Sequence, residues 1–246
     1  MILLRSLLFN VLFYLNTAVW LVAAIPTFFM PYRAILEVAK AWGRLSREML
    51  RIVAGVDYEI RGAEKIPHGA IIVAAKHQSA WETFALLPLF DNPTFIIKRE
   101  LQWIPIFGWF TIKGRMVPVD RGAGSRTLSK MTERARLELS QNRQLIIFPE
   151  GTRRPPGAEP RYKYGVAQLY AAEGVPCIPI ALNSGLFWPR RSLLRYPGKI
   201  LVEVLDPIPP GLDKDAFFDR LQNEIETATA RLIAEAQTTR PPRGRL

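Results

Sequence analysis

The chain has 246 residues, 49% of them hydrophobic and 22% charged, enough for one sizeable core, or one core plus a membrane segment, and too little for two full domains. Its formal net charge of +11 and pI of about 10.1 call for an anionic partner, whether nucleic acid, acidic lipid or a phosphorylated small molecule. The single cysteine, Cys177, excludes an intrachain disulfide, and no Cys/His cluster has zinc spacing.

From Ser6 to Tyr32 there is no charged residue, and LLFNVLFYLNTAVWLVAAIPTFFM is long enough for a hydrocarbon layer that takes about 20 apolar residues. A membrane contact is predicted. Crossing the bilayer and dipping into one leaflet both stay open, because Asn10 and Asn16 sit inside the run and Pro26 and Pro31 interrupt its end. Arg5 and Val22-Ala23-Ala24 would suit a signal peptide, but the apolar region is too long for one. Over Ala34–Val53, Ile35, Val38, Trp42, Leu45, Met49 and Ile52 recur by threes and fours, with Lys40, Arg44, Arg47 and Arg51 opposite them. This basic amphipathic helix either packs its stripe on the core or lies on anionic headgroups. Residues 1–54 are thus read as a membrane-associated helical segment. The basic residues on its C-terminal side place the remaining chain at the cytoplasmic face, the inner membrane if the chain is bacterial.

After Gly55 the pattern changes to short apolar runs separated by helical ones. Strands are predicted at Val56–Arg61, Ala70–Ala75, Thr94–Lys98, Met116–Val119, Gln144–Phe148, Cys177–Leu182 and Lys199–Leu205. Helices are predicted at Ser79–Pro88, Gly124–Gln141, Tyr162–Glu173 and Asp213–Ala236, the last with Asp213 as N-cap and Phe217, Leu221, Ile225, Ala228 and Leu232 on one face. The alternation argues for an α/β fold, a mixed, mainly parallel sheet of about seven strands covered by helices, occupying residues 55–237. Thr238–Leu246 (TTRPPRGRL) reads as a disordered basic tail.

No phosphate-cradling G-x-x-x-x-G-K-[ST], dinucleotide G-x-G-x-x-G, G-x-S-x-G elbow or H-E-x-x-H is present. What stands out is KHQSAWET, Lys76–Thr83, directly after an apolar strand. Within one α-helix His77 and Glu82 would lie about 140° apart, at ~100° per residue, so His77 must precede the helix. Two readings follow. Ser79 and Glu82 form an S-x-x-E capping box, in which case Glu82 only holds the helix start; or the same turn brings Glu82 to one ring nitrogen of His77 and leaves the other as a base. A second cluster, FPEGTRR (Phe148–Arg154), follows the apolar QLII. Pro149 and Gly151 enforce a sharp exit, and Thr152, Arg153 and Arg154 offer donors suited to a phosphate; the plain alternative is a solvated turn with Glu150 paired to an arginine. His68 and Cys177 read as a turn residue and a core residue.

H-x-x-x-x-[acid] followed by F-P-E-G-T-R resembles the glycerolipid acyltransferase family, most closely its 1-acylglycerol-3-phosphate acyltransferases. Lys98-Arg99-Glu100-Leu101, Val117-Pro118-Val119-Asp120-Arg121 and Val175-Pro176-Cys177-Ile178-Pro179-Ile180 match further blocks of that family in order, from roughly Val56 to Leu205. Glu82 stands where the family usually has aspartate, and Pro118 where many members carry an aromatic residue. The resemblance implies acyl transfer from acyl-CoA or acyl-carrier protein to the free hydroxyl of lysophosphatidate, giving phosphatidic acid in phospholipid biosynthesis, with no cofactor and no metal. It implies His77 as base, oriented by Glu82. Arg121, Arg153 and Lys163 would hold the acceptor phosphate, with Thr152 beside them, Gly151 permitting close approach, and Glu150 fixing the arginines or contacting glycerol. An oxyanion stabiliser is required as well, for which backbone N–H groups near the helix that starts at Ser79 are a candidate that the sequence does not identify. Trp103, Ile104, Phe107, Trp109 and Phe110 read either as an acyl channel or as core and interfacial aromatics. The rivals are an acyltransferase for another lyso-lipid, such as a lyso-ornithine lipid, and a non-enzymatic protein binding anionic membranes. No recognisable module supports a nucleic-acid partner.

Overall fold

The computed structural model describes residues 1–120 and 124–238. Arg121 and residues 239–246 of the expected tail lie outside the described residues. The apolar N-terminus forms α1 (Ile2–Ala23), and a 3₁₀ turn over Ile25–Phe29 leads into α2 (Tyr32–Met49). A π turn over Leu50–Ala54 ends on Gly55 at φ 70°, which hands the chain straight to the sheet. There follow β1 (Val56–Arg61), β2 (Ile71–Ala75), α3 (Glu82–Ala85), β3 (Pro93–Lys98), α4 (Phe107–Lys113), β4 (Val117–Val119) and α5 (Gly124–Leu139). The chain continues with β5 (Gln144–Ile147), α6 (Gly165–Glu173), β6 (Cys177–Leu182), β7 (Gly198–Val204) and α7 (Lys214–Thr238).

The seven strands form one sheet in the order β1-β7-β6-β2-β5-β3-β4, parallel throughout except between β6 and β7. β2 is central and buried on both faces, as IIVAA requires of a parallel strand with helices on either side. One core layer packs Trp81, Phe84, Ile146, Ile180 and Trp188 together, and the other packs Leu145, Tyr170, Phe217 and Leu221 under α5, α6 and α7. The predicted face of α7 is the buried one, and Asp213 caps it through the Asp215 and Ala216 amides at 3.0 and 2.9 Å.

The N-terminal helices differ from the simple picture of an apolar rod followed by a basic helix. Phe9 of α1 is fully buried in the main core, edge-on to Trp188. Asn10 donates to the Leu193 carbonyl (2.8 Å) and accepts from Arg195 (2.7 Å), and Asn16 donates to Ser46 (3.2 Å), so the polar residues inside the apolar run face protein partners. In α2 the basic side is divided: Arg44 and, just past the helix, Arg51 face outward, while two others turn in. Lys40 and Arg47 are buried and donate to the carbonyls of Asp91 and Ala85, which have to find donors once α2 covers them. Gly43 permits that approach: a Cβ there would sit 2.7 Å from the Phe84 carbonyl oxygen. Leu45 and Ile52 are exposed instead.

The helix expected over Ser79–Pro88 shrinks to the four residues of α3 and a 3₁₀ turn at Leu87–Leu89, with Pro88 unable to continue an α ladder. α4 was not among the predicted helices; its seven residues carry too little periodicity to register.

Candidate active site

β2 and β5 are parallel neighbours with Ala74 opposite Ile147, so the turns that follow them emerge side by side. That register brings KHQSAWET and FPEGTRR together at the carboxyl edge of the sheet, where open α/β folds bind ligands. His77 is stacked on Phe148, ring centroids 4.1 Å apart, and its Nδ1 lies 3.0 Å from Glu82 Oε1. The same oxygen accepts the Gln78 and Ser79 amides, each at 2.7 Å, while Oε2 accepts the hydroxyls of Ser79 (3.1 Å) and Ser184 (2.8 Å). The Ser79 hydroxyl in turn accepts the Trp81 amide at 2.8 Å. One carboxylate therefore makes contacts of both readings: it ties the turn before α3 and meets the imidazole. Glu82 is wholly buried. Burial works to raise its carboxyl, but the bond and charge of His77 and the Ser79 amide outweigh it and hold the group below its ordinary value. A carboxylate that accepts from Nδ1–H leaves Nε2 as the ring's free acceptor.

The Gln78, Ser79 and Trp81 amides are consumed inside the turn and are not free to meet an oxyanion. Of the two roles expected of Glu150, fixing the arginines is not seen, because it is paired to a lysine. Its Oε1 takes Lys76 Nζ at 3.0 Å and its Oε2 the His77 amide at 2.9 Å, because the parallel register sets the end of β2 against Pro149-Glu150. Lys76 reaches on to Glu226 of α7 (2.6 Å), which also accepts the Tyr162 hydroxyl (2.9 Å). Burial raises the Glu150 carboxyl, with Lys76 pulling it back only in part, and burial beside Glu226 raises the Tyr162 phenol.

In front of His77 lies a cavity of about 730 Å³. Its polar side carries His77, Glu150, Gly151, Thr152 and Lys163, and its apolar wall includes Ile96, Ile97, Leu128, Met131 and Val166. Gly151 sits at φ 65°, and the Lys163 amide donates to the Pro149 carbonyl (2.8 Å), which sets that lysine beside the glycine turn. Arg153 is not among the lining residues; its carbonyl accepts Arg190 at 2.8 Å. Trp103, Ile104, Phe107 and Trp109 do not line the cavity either but stand exposed to its outside. Residue-by-residue reading missed Lys76, Ser184, Glu226 and Tyr162. For Ser184 a signal existed, since the strand over Cys177–Leu182 must end at this same edge.

A family model described as Acyltransferase matches residues 57–183 of the chain. The 1-acyl-sn-glycerol-3-phosphate acyltransferase of Pseudomonas aeruginosa is 35% identical over 205 residues, 81% of this chain and 79% of that one. The enzyme of the same name from Cocos nucifera is 30% identical over 195 residues, covering 78% of this chain and 63% of the longer coconut protein. The crystal structure of the 1-acyl-sn-glycerophosphate acyltransferase of Thermotoga maritima superposes with a TM-score of 0.79 over 95% of this chain and 98% of that one. At 24% identity that likeness is one of fold.

Proposed function

Because the chain belongs to the acyltransferase family, we propose that it transfers an acyl group from acyl-CoA or acyl-carrier protein to the free glycerol hydroxyl of 1-acylglycerol-3-phosphate. The observation that carries this reading is the buried Glu82 bonded to His77 Nδ1 at the wall of a cavity with one polar side, which includes Lys163, and one apolar side. In the proposed step His77 Nε2 takes the hydroxyl proton as the alcohol oxygen attacks the thioester carbonyl, and Glu82 stabilises the imidazolium that forms. The tetrahedral oxyanion then collapses, the C–S bond breaks, and the thiolate leaves with the proton from His77. The acceptor itself is the nucleophile, so no acyl-enzyme is required.

Lys163 and Thr152 are set to meet the acceptor phosphate, and Gly151, without a Cβ, lets it approach the turn. Arg121 and Arg153 are proposed as further phosphate ligands on the strength of the family pattern alone. The apolar wall would take the acyl chains. The lipid acceptor accords with α1, part of a 28-residue stretch, Ile2–Phe29, long and apolar enough to cross a membrane. The bonds of Asn10 and Asn16 to Leu193, Arg195 and Ser46 hold one side of α1 against the rest of the protein, which favours insertion into one leaflet, at the cytoplasmic face, over crossing.

The test is transfer of a labelled acyl group from each donor to lysophosphatidate in detergent micelles, with a lyso-ornithine lipid as comparison acceptor. Phosphatidate formed by the wild type and abolished in His77→Ala is expected. Equal transfer by both proteins removes His77 from the chemistry, and transfer only to the comparison acceptor removes the phosphate assignment.

A further inference from the structure

Between β3 and β4 the chain makes a strained turn. Ile106 stands at φ 65°, ψ −58°, with the Phe107 amide donating to the Pro105 carbonyl at 2.7 Å. This is a γ-turn of the rare, strained hand, at a β-branched residue for which positive φ is most costly. The turn is locked beside it by Gly108: a Cβ there would fall 2.0 Å from the Gln102 carbonyl oxygen, so only glycine fits. Strain kept at such a point marks a feature retained for something other than stability.

What the turn displays is apolar. Trp103 is 72% exposed, Trp109 57% and Ile112 59%, with Ile104 and Ile106 between them. The inner face is firmly held: Phe110 is buried and stacked on Phe28 at 4.9 Å, and Lys113 donates to the Phe28 carbonyl at 3.0 Å. Phe28 belongs to the 3₁₀ turn at the end of α1, whose next residue, Phe29, is 93% exposed. The patch is therefore continuous with the outer surface of the most apolar helix in the chain.

We propose that the Trp103–Ile112 turn is a second membrane-inserting element, which docks into the interfacial layer of the bilayer beside the end of α1. Paired indole rings on an apolar tip are the chemistry of that layer, where an aromatic body is buried and its N–H stays near water. The same chain enters the turn from Ile96 and Ile97 and leaves it for Val119, all three of which line the cavity. Docking there sets the cavity against the lipid surface. The proposal holds whichever lyso-lipid is the acceptor.

The experiment uses the full chain with a Trp109→Cys substitution carrying an environment-sensitive fluorophore; native Cys177 is buried and leaves the new thiol to react. A Ser140→Cys variant, labelled at the exposed end of α5, is the control. In vesicles of phosphatidylethanolamine and phosphatidylglycerol, the label at position 109 is expected to shift to the blue and be quenched by spin-labelled lipid, with position 140 unmoved. Equal behaviour at the two positions overturns the proposal, as does a blue shift at 109 that grows with protein concentration in micelles and is not quenched by lipid, which would assign the patch to a second copy of the chain. The Trp103→Ser/Trp109→Ser variant should lose roughly tenfold in transfer to vesicle-borne acceptor while keeping its rate on a short-chain monomeric one. Unchanged rates on both count against the proposal.

Discussion

Lys76 is the cation that joins Glu150 to Glu226 behind His77. Its side chain is 4% exposed, that of Glu150 fully buried and that of Glu226 23% exposed. Lys76→Met keeps the length and removes the charge, leaving two carboxylates facing each other. Removing one partner from a buried ion pair costs about 3–5 kcal/mol. The partial opening of Glu226 to solvent favours the lower end. For a chain of this size each kcal/mol moves Tm by roughly 2–4 °C, so a fall of about 6–12 °C is expected. The pH dependence has a definite sign. Burial already raises the Glu150 carboxyl against the pull of Lys76, and it rises further without that lysine. A carboxyl whose folded pKa is raised contributes stability below its unfolded pKa and loses it as pH rises through the folded one. The deficit should thus be largest near neutrality and narrow on acidification toward the carboxylate range. Glu226, Tyr162 and the His77 amide are the other groups facing the pair, and Lys76→Met/Glu226→Gln should recover part of the loss by removing the like charge. Thermal unfolding by circular dichroism in micelles at several pH values reads all of this. An unchanged Tm, or a deficit that widens on acidification, would refute the reasoning.

Glu82→Gln keeps the shape of the turn and loses the charge that orients His77, so transfer should drop by roughly 10²-fold or more while the protein still folds. The same variant tests a pH effect of opposite sign to that of Glu150. Wild-type Glu82, held below the ordinary carboxylate value, contributes stability above the unfolded pKa that disappears as pH falls through the folded one, and acid melts of Glu82→Gln should lack that component. Lys163→Gln should raise KM for an anionic acceptor about tenfold with kcat nearly kept, measured by steady-state transfer; an unchanged KM would take Lys163 out of the phosphate site. Gly185→Ala would bring a Cβ within 2.8 Å of the Pro156 ring and 3.0 Å of Gln78 Cβ, and is expected to lower stability by about 1–3 kcal/mol, seen as a shifted thermal transition.

The strands were legible because each is a short apolar or alternating run between turn residues, and Val56–Arg61 and Cys177–Leu182 fall where the pattern puts them. The His77–Glu82 contact was legible too, as one of two alternatives that the structure joins in a single carboxylate. Other features depend on partners far along the chain. Nothing local to Lys76 announces Glu226, 150 residues on, and nothing in the basic spacing of α2 says that Lys40 and Arg47 will turn inward to meet the carbonyls of Asp91 and Ala85. The Trp103–Phe110 aromatics were visible as a group but not which of them face outward, since that depends on the backbone turn at Ile106 and on Phe110 packing against Phe28 from the far end of α1.

The antiparallel pairing of β6 with β7 has a geographic effect. β7 runs against β6, and β1 runs with β7, so Val56 begins its strand at the edge where β2 and β5 end. The helices that precede Val56 therefore join the sheet on the side of His77. Had β7 run the other way, the attachment would fall at the opposite end of a six-residue strand, about 20 Å off. The reversal of β7 and β1 together thus sets the rim that carries His77 and the apolar N-terminal helices on one side, so that under the proposed function a lipid acceptor and the base meet on shared ground.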